Sequence, residues 1–340
     1  MSTDLNSPNR ASRPTFGRKV RKFFEEYVII YGIVALIVFV SFGSGIILGD
    51  WTIFLSVDNF MNVLRQVSMI AIISAGMFFV LVSGGVDISV GATAGLINVL
   101  FAGFLVWYGM PWPLSALLCL VISAVIGVVN GTLVAVFGIP PLIATLGTQS
   151  ILRGLIFVIT NAYAVFNLPT NIRFLGNGYV LSYIPIPVII MVVIFIIINF
   201  ISQRTKFGRS AYAVGGNIEA AYLSGINQKR VRILCYMIVN ICAGVSAIIL
   251  TSRLASGQPN SGTGWEFEAI IATVIGGVSI IGGKGRAFGA MFGALLIGIF
   301  TNGMTLMNVN SYYQQMIKGL ILISAIGLDV YSAHRRARAV

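Results

Sequence analysis

The sequence predicts an all-α protein that crosses a membrane many times, and three observations carry that prediction. Hydrophobic residues make up 57% of the chain and charged residues only 9%, against roughly 25% charged in a soluble domain; the mean hydropathy is +0.93. Apolar runs recur from one end of the 340 residues to the other, each near the roughly 20 residues needed to span a bilayer. The runs are continuous rather than alternating, which argues against a β-barrel.

Ten spans are read, near 28–48, 60–82, 89–109, 113–138, 141–160, 183–201, 231–251, 267–282, 286–304 and 313–330. The first follows a polar, basic stretch, MSTDLNSPNRASRPTFGRKVRKFFEEY, that lacks the short apolar core and cleavage site of a signal peptide. It is therefore expected to act as an uncleaved anchor. Ten spans put both termini on one side, and the basic residues test that arrangement. With the termini inside, Arg10, Arg13, Arg18, Lys19, Arg21 and Lys22 lie inside in the tail. Arg204, Lys206, Arg209, Lys229, Arg230 and Arg232 lie inside after the sixth span, and Lys284, Arg286, Arg335, Arg336 and Arg338 follow toward the C-terminus. Only Arg173 and Arg253 fall in outer loops. Such asymmetry is the mark of cytoplasmic termini, and it accounts for the net charge of +12 without nucleic acid. The chain divides into a basic tail at 1–27, a membrane domain at 28–330 with one large cytoplasmic loop at 202–230, and a second tail at 331–340.

The outer loops are short, so no segment is large enough to capture a ligand outside. Nor does the chain carry its own source of energy. In GGVSIIGGKGR (276–286), a phosphate-binding loop ending on Lys284 needs Gly at 278 and Ser or Thr at 285; Val278 and Gly285 stand there instead. The glycines are better read as close packing around a tight turn. Ion coupling calls for ionisable groups deep in the spans, and these are few. Arg65 and Lys318 lie near span ends where they can snorkel, and Arg153 lies in the middle third of the fifth span. Asp87, in SGGVDISVG, sits at the turn before the third span, where it can cap the following helix. No HExxH, paired carboxylates or Ser/His/Asp set is present, and the only histidine is His334. Cys119, Cys235 and Cys242 all lie in apolar runs and read as buried free thiols.

The notable polar run is AVGGNIEAAYLSGINQKRVR (213–232). Gly215 and Gly216 form a turn and Asn217 caps a short helix over Ile218–Leu223. Glu219 sits in its first turn, where the helix dipole favours an anion. Ala220 and Ala221 present a small face suited to a groove, and Ser224 and Gly225 end the helix. An ordinary amphipathic surface helix is the competing reading.

FGRSAYAVGGNIEAAYLSGINQKRVR resembles the coupling loop of the membrane subunits of bacterial monosaccharide ABC importers, the ribose, xylose, arabinose and galactose group. LVSGGVDISVGA, NGTLVAVFGIPPLIATLGTQSILRGL, SGTGWEFEAIIATVIGGVSIIGGKGR and SYYQQMIKGLIL are similar to further blocks of that family, in order. The resemblance, from about residue 55 to 330, implies about ten helices arranged as in the vitamin B12-type importers, in the bacterial inner membrane. It implies two copies, or two related subunits, around one pathway. It also implies a separate ATPase, usually a fused tandem, holding the ATP and magnesium, with no cofactor in this chain. A periplasmic sugar-binding protein completes the set of partners. Gly216, Asn217, Glu219, Ala220, Ala221, Leu223, Ser224 and Gly225 match the coupling pattern and are expected to sit in a cleft of the ATPase. Lys284 and Arg286 share that face as a possible second contact.

Sugar passage calls for sparse polar side chains in the spans. Asn98, Asn130, Thr145, Gln149, Asn240 and Asn302 qualify, with interhelical hydrogen bonding as the alternative for each. Arg153 shares a helical face with Gln149. Glu266 and Glu268, in the loop ASGQPNSGTGWEFE, are placed to meet a binding protein, with a solvated loop as the alternative. Gly289, Gly293 and Gly298 favour close helix packing, within the subunit or between copies. The residues do not fix which sugar is carried. A self-sufficient carrier or facilitator and a structural scaffold are the rival classes.

Overall fold

The computed structural model describes residues 16–49, 52–181 and 183–337; the basic residues Arg10, Arg13 and Arg338 lie outside them. The helices in chain order are α1 (Phe16–Leu48), α2 (Thr52–Leu55), α3 (Val57–Val82), α4 (Val90–Val106), α5 (Trp112–Ala135), α6 (Pro141–Thr160) and α7 (Arg173–Asn177). A two-strand hairpin, β1 (Tyr179–Val180) and β2 (Ile184–Pro185), leads into α8 (Ile186–Arg204). Then come α9 (Lys206–Gly216), α10 (Ile218–Leu223), α11 (Gln228–Leu254), α12 (Trp265–Ile275), α13 (Ala287–Leu306) and α14 (Ser311–Ala337). Among the described residues six helices, α3, α5, α6, α8, α11 and α13, are long and apolar enough to cross a membrane. Tyr31–Ile47 and Val90–Val106 are shorter apolar helical stretches.

Burial sorts these helices into layers. In the apolar window of α3, 89% of residues are buried, against 33% for α5, 28% for α6 and 33% for α8. α3 is therefore the central post, with α11 beside it, while α5, α6 and α8 turn apolar side chains such as Leu117, Val121, Ile151 and Ile196 outward.

The eighth expected span differs from the structure. α12 ends at Ile275 after 11 residues, and 276–286 is an irregular loop. The apolar letters continue through Val278–Ile281, but the backbone leaves the helix at Gly276 and takes a left-handed turn at Gly277, φ 84°. A Cβ on Gly276 would overlap the Gly289 carbonyl, and one on Gly289 the Gly276 carbonyl. The small residues of α13 thus pack within the chain, Gly293 on Ala272 and Gly298 on Val67.

Two extended segments fold back into the bundle. From Val82, beside Gly215, residues 83–88 run along α11. The Tyr236 hydroxyl donates to the Val86 carbonyl (3.2 Å), and the Asn240 amide donates to Asp87 (2.8 Å). Asn240 lies about midway along the 27-residue α11, so α4 begins at mid-depth. From the opposite end, residues 255–264 fold inward after α11. The Gln258 backbone N–H donates to Asn98 Oδ1 (2.6 Å), and the Gly262 carbonyl abuts Gly91 in the first turn of α4. α4 and α12 therefore start from the same internal level. Irregular backbone is tolerated there because protein, not lipid, surrounds it.

Candidate functional site

Three groupings stand out: the capped helix α10, a polar centre around Asp87, and a second around Glu266.

α10 is built by its ends. Asn217 Oδ1 accepts from the Ala220 N–H (2.9 Å), closing the N-terminus. At the other end Gly225 adopts φ 76°; its N–H donates to the Tyr222 carbonyl and the Ile226 N–H to the Ala221 carbonyl (2.9 and 3.0 Å). This Schellman arrangement is why Ser224–Gly225 stops the helix. Glu219 and Ala220 are exposed, and Ile218, Tyr222 and Leu223 are 38%, 71% and 85% exposed. The alanine pair does not form one outward face: Ala221 is 4% exposed and packs against the bundle. The outward surface instead carries the larger apolar Ile218, Tyr222 and Leu223 beside Glu219 and Ala220.

The stretch entering α10 is locked to the bundle through backbone. A Cβ on Gly215 would overlap the Val82 carbonyl and lie 2.8 Å from the Gly283 nitrogen. One on Gly282 would lie 3.1 Å from the Cα of both Gly215 and Gly84. The Gly283 N–H donates to the Val82 carbonyl (2.8 Å), and Tyr212 OH to the Gly285 carbonyl (2.8 Å). The loop 276–286 is thus the close-packed turn expected of its glycines. It joins the α10 base to the end of α3, where the first extended segment starts. Lys284 and Arg286 are exposed on this side, and Asp329 of α14 accepts from Ser279 Oγ and the Ile280 N–H, both at 3.0 Å.

Asp87 is wholly buried. Its Oδ1 accepts from the Ser89 N–H (2.8 Å) and hydroxyl (2.6 Å), and its Oδ2 from the Asn240 amide (2.8 Å). Asn130 Nδ2 donates to Ser89 Oγ (2.7 Å), Thr148 Oγ1 to Asn130 Oδ1 (2.6 Å), and Thr93 Oγ1 to Asn240 Oδ1 (2.8 Å). The chain of bonds ties α4, α5, α6 and α11 together at the start of α4. Asp87 bonds Ser89, the residue before α4, rather than a helical N–H, so it does not cap the helix in the expected way, and it lies inside a closed network rather than at a wet turn.

Glu266, in the first turn of α12, is 3% exposed. It is an internal group here and not a surface carboxylate, because residues 255–264 fold inward. Its Oε1 accepts from Gln149 Nε2 (3.1 Å), while its Oε2 has no partner. Arg153 Nη1 donates to the Ser261 carbonyl (2.8 Å), and its buried Nη2 also lacks a partner. Gly91 and Gly95 leave the space these side chains fill.

The other expected path residues are separate. Asn98 donates to Thr251 Oγ1 (2.8 Å); Asn302 and Asn59 exchange amide bonds (3.0 and 3.1 Å); and Thr145 bonds back to the Pro141 carbonyl of its own helix (2.8 Å). Glu268 pairs with Lys318 (2.6 Å). Arg65 is buried, and its guanidinium lies 4.9 Å from the Tyr179 ring centroid. Ser89, Thr93, Thr148 and Thr251 complete these bonds and were not distinguishable by type; only their fold partners mark them. The three cysteines are buried and unpaired.

Comparison with known proteins shows the family. A family profile described as branched-chain amino acid transport system / permease component matches residues 59–326. The ribose import permease protein RbsC of Bacillus subtilis is 42% identical over 278 residues, 81% of this chain and 86% of that protein. The D-allose transport system permease protein AlsC of Escherichia coli is 35% identical over 276 residues, 81% and 84% of the two chains. The xylose transport system permease protein XylH of Haemophilus influenzae is 30% identical over 363 residues, 89% and 95%. No solved structure matches. With a profile that covers most of its length, the chain belongs to the branched-chain amino acid transport system / permease component family.

Proposed function

We propose that the chain is the translocation subunit of an ATP-binding-cassette importer, carrying a monosaccharide or sugar-like molecule delivered by a periplasmic binding protein. The observation that carries this reading is α10, a six-residue helix closed at both ends, with Ile218, Tyr222 and Leu223 bare to solvent. A helix so firmly built and so uncovered fits the cleft of a partner. Ribose, allose and xylose in the names of relatives at 30–42% identity favour sugar over amino acid as cargo.

In this reading a separate ATPase, holding ATP and magnesium and fused as a tandem, grips α10. A second permease, identical or related, completes the pathway. Residues 28–330 form the membrane body in a ten-span arrangement like that of the vitamin B12-type importers, with 1–27 and 331–340 as tails. The chain sits in the bacterial inner membrane with both termini cytoplasmic. ATP-driven closure moves α10 between two positions, as coupling requires. The glycine contacts at Gly215 and Gly282 pass that movement to α3, and from there to the mid-depth starts of α4 and α12. Discontinuous helices are where transporters commonly build their sites.

Glu219→Lys tests the reading. Native mass spectrometry of the extracted variant should show an inserted permease with less attached ATPase than the parent. Full attachment and full uptake in that variant remove the assignment of α10. Sugar transport in liposomes by the unmutated chain alone removes the importer itself and favours a self-sufficient carrier.

A further inference from the structure

At the end of the bundle away from α10, a cavity of about 350 Å³ lies between α3, α11, α12, α13 and α14. This is within the range of about 300–1,000 Å³ usual for small-molecule sites. Its wall holds Gln66, Arg253, Trp265, Glu268, Thr301 and Lys318. None of Asn98, Asn130, Thr145, Gln149, Asn240 and Asn302 lines it. Two more cavities adjoin. One, about 610 Å³, shares Gln66 and Thr301 and opens past Thr305, Asn308 and Gln314. The other, about 450 Å³, shares Glu268 and Lys318. The Glu268–Lys318 ion pair therefore stands between two chambers, with a polar mouth leading to the first.

Two physical arguments say what fills this space. Charged side chains within a membrane bundle face one another or water, not lipid, and here two cations and one carboxylate converge on one void. Although α3, α11 and α13 also contribute apolar side chains to its wall, these charges favour water over lipid in the space. Arg253 has no ion-pair partner among the described residues, so its donors are open to a ligand. Trp265 supplies a flat apolar surface beside these groups. A neutral polyol ring has that same division, with carbon-bound hydrogens on its faces and hydroxyls around its rim. An indole meets the face, while guanidinium, carboxylate and amide side chains meet hydroxyls as donors and acceptors.

The geometry points to this cavity as a monosaccharide subsite, with Trp265 as its platform and Arg253, Glu268 and Lys318 as its hydroxyl partners. The inference rests on the importer reading above but assigns residues that the reading does not need. In it the Glu268–Lys318 pair is a partition that a sugar's hydroxyls replace as it moves from one chamber to the next.

Thiol labelling separates this inference from the importer reading. The native cysteines are buried, so a Thr301→Cys chain in membrane vesicles offers one reachable thiol. A small charged methanethiosulfonate should label it at least about tenfold faster than Val121→Cys on the outward face of α5, and D-ribose, D-allose or D-xylose should slow that labelling. Trp265→Leu should abolish the protection and raise the sugar concentration for half-maximal uptake about tenfold, while Trp265→Phe keeps both. Labelling as slow as at Val121→Cys shows a lipid-filled groove and overturns the inference. Fast labelling that none of the three sugars slows overturns it as well. In both cases ATPase attachment at α10 is untouched, so the importer reading stands or falls separately.

Discussion

The two places where the chain folds back into the bundle differ in how their polar groups are satisfied. After α3, Asp87 accepts three hydrogen bonds and its neighbours Ser89, Asn130 and Asn240 are bonded in turn. After α11, Glu266 and Arg153 each keep one buried polar atom without a partner. A buried network that is fully bonded specifies one arrangement. Glu266 and Arg153 carry opposite charges, and each combines one unpartnered atom with a bond, to Gln149 or to the Ser261 carbonyl. The contrast is between a closed network at the start of α4 and an open one at the start of α12.

Substitutions can break that contrast. The largest effect is expected from Asp87→Ala, which strands the Ser89 and Asn240 donors at about 1–3 kcal/mol for each orphaned group. The variant should lose about 3 kcal/mol or more of stability, seen as a lower unfolding midpoint in detergent or as failure to accumulate in the membrane. An unchanged midpoint would show that the network is not what fixes α4.

Gly215→Val should cost about 1–3 kcal/mol through overpacking against Val82 and Gly283. Its sharper signature is functional: ATPase attachment retained, uptake reduced about tenfold, equivalent to about 1.4 kcal/mol. Uptake at the parental rate would show that movement bypasses this contact. The smallest stability effect is expected from Arg153→Met, which keeps the apolar stem and removes one bond and one unpartnered atom, within about 1 kcal/mol. Uptake should nevertheless fall. If Arg153→Met unfolds as readily as Asp87→Ala, the two breaks are equally structural and the contrast is lost.

Much of this was legible locally. Asn217, Ser224 and Gly225 fixed the ends of α10 because caps and left-handed stops are properties of a few adjacent residues. The long apolar runs that became α3, α5, α6, α8, α11 and α13 were equally plain. The early end of α12 was not, because hydropathy counts Val278–Ile281 as membrane-like while the turn at Gly276–Gly277 depends on α13 lying against it. Asn130 and Asn240 were recognisable as polar groups in apolar helices, but their partners, Ser89 and Asp87, are distant in sequence from both. Glu266 was expected outside because its loop is polar, and nothing local says that such a loop folds inward. The cavity drew on Gln66, Trp265 and Thr301, whose types are ordinary until five helices bring them together.

The glycine contacts at the base of α10 carry a mechanical consequence. A joint made through side chains has play in it, since each rotamer is a hinge that absorbs part of any displacement. At Gly215, Gly282 and Gly84 there are no such hinges, only main chain resting on main chain. Under the proposed coupling, a push on α10 would meet no rotamer in this joint to absorb it before the end of α3, and even a short stroke would arrive at nearly full length.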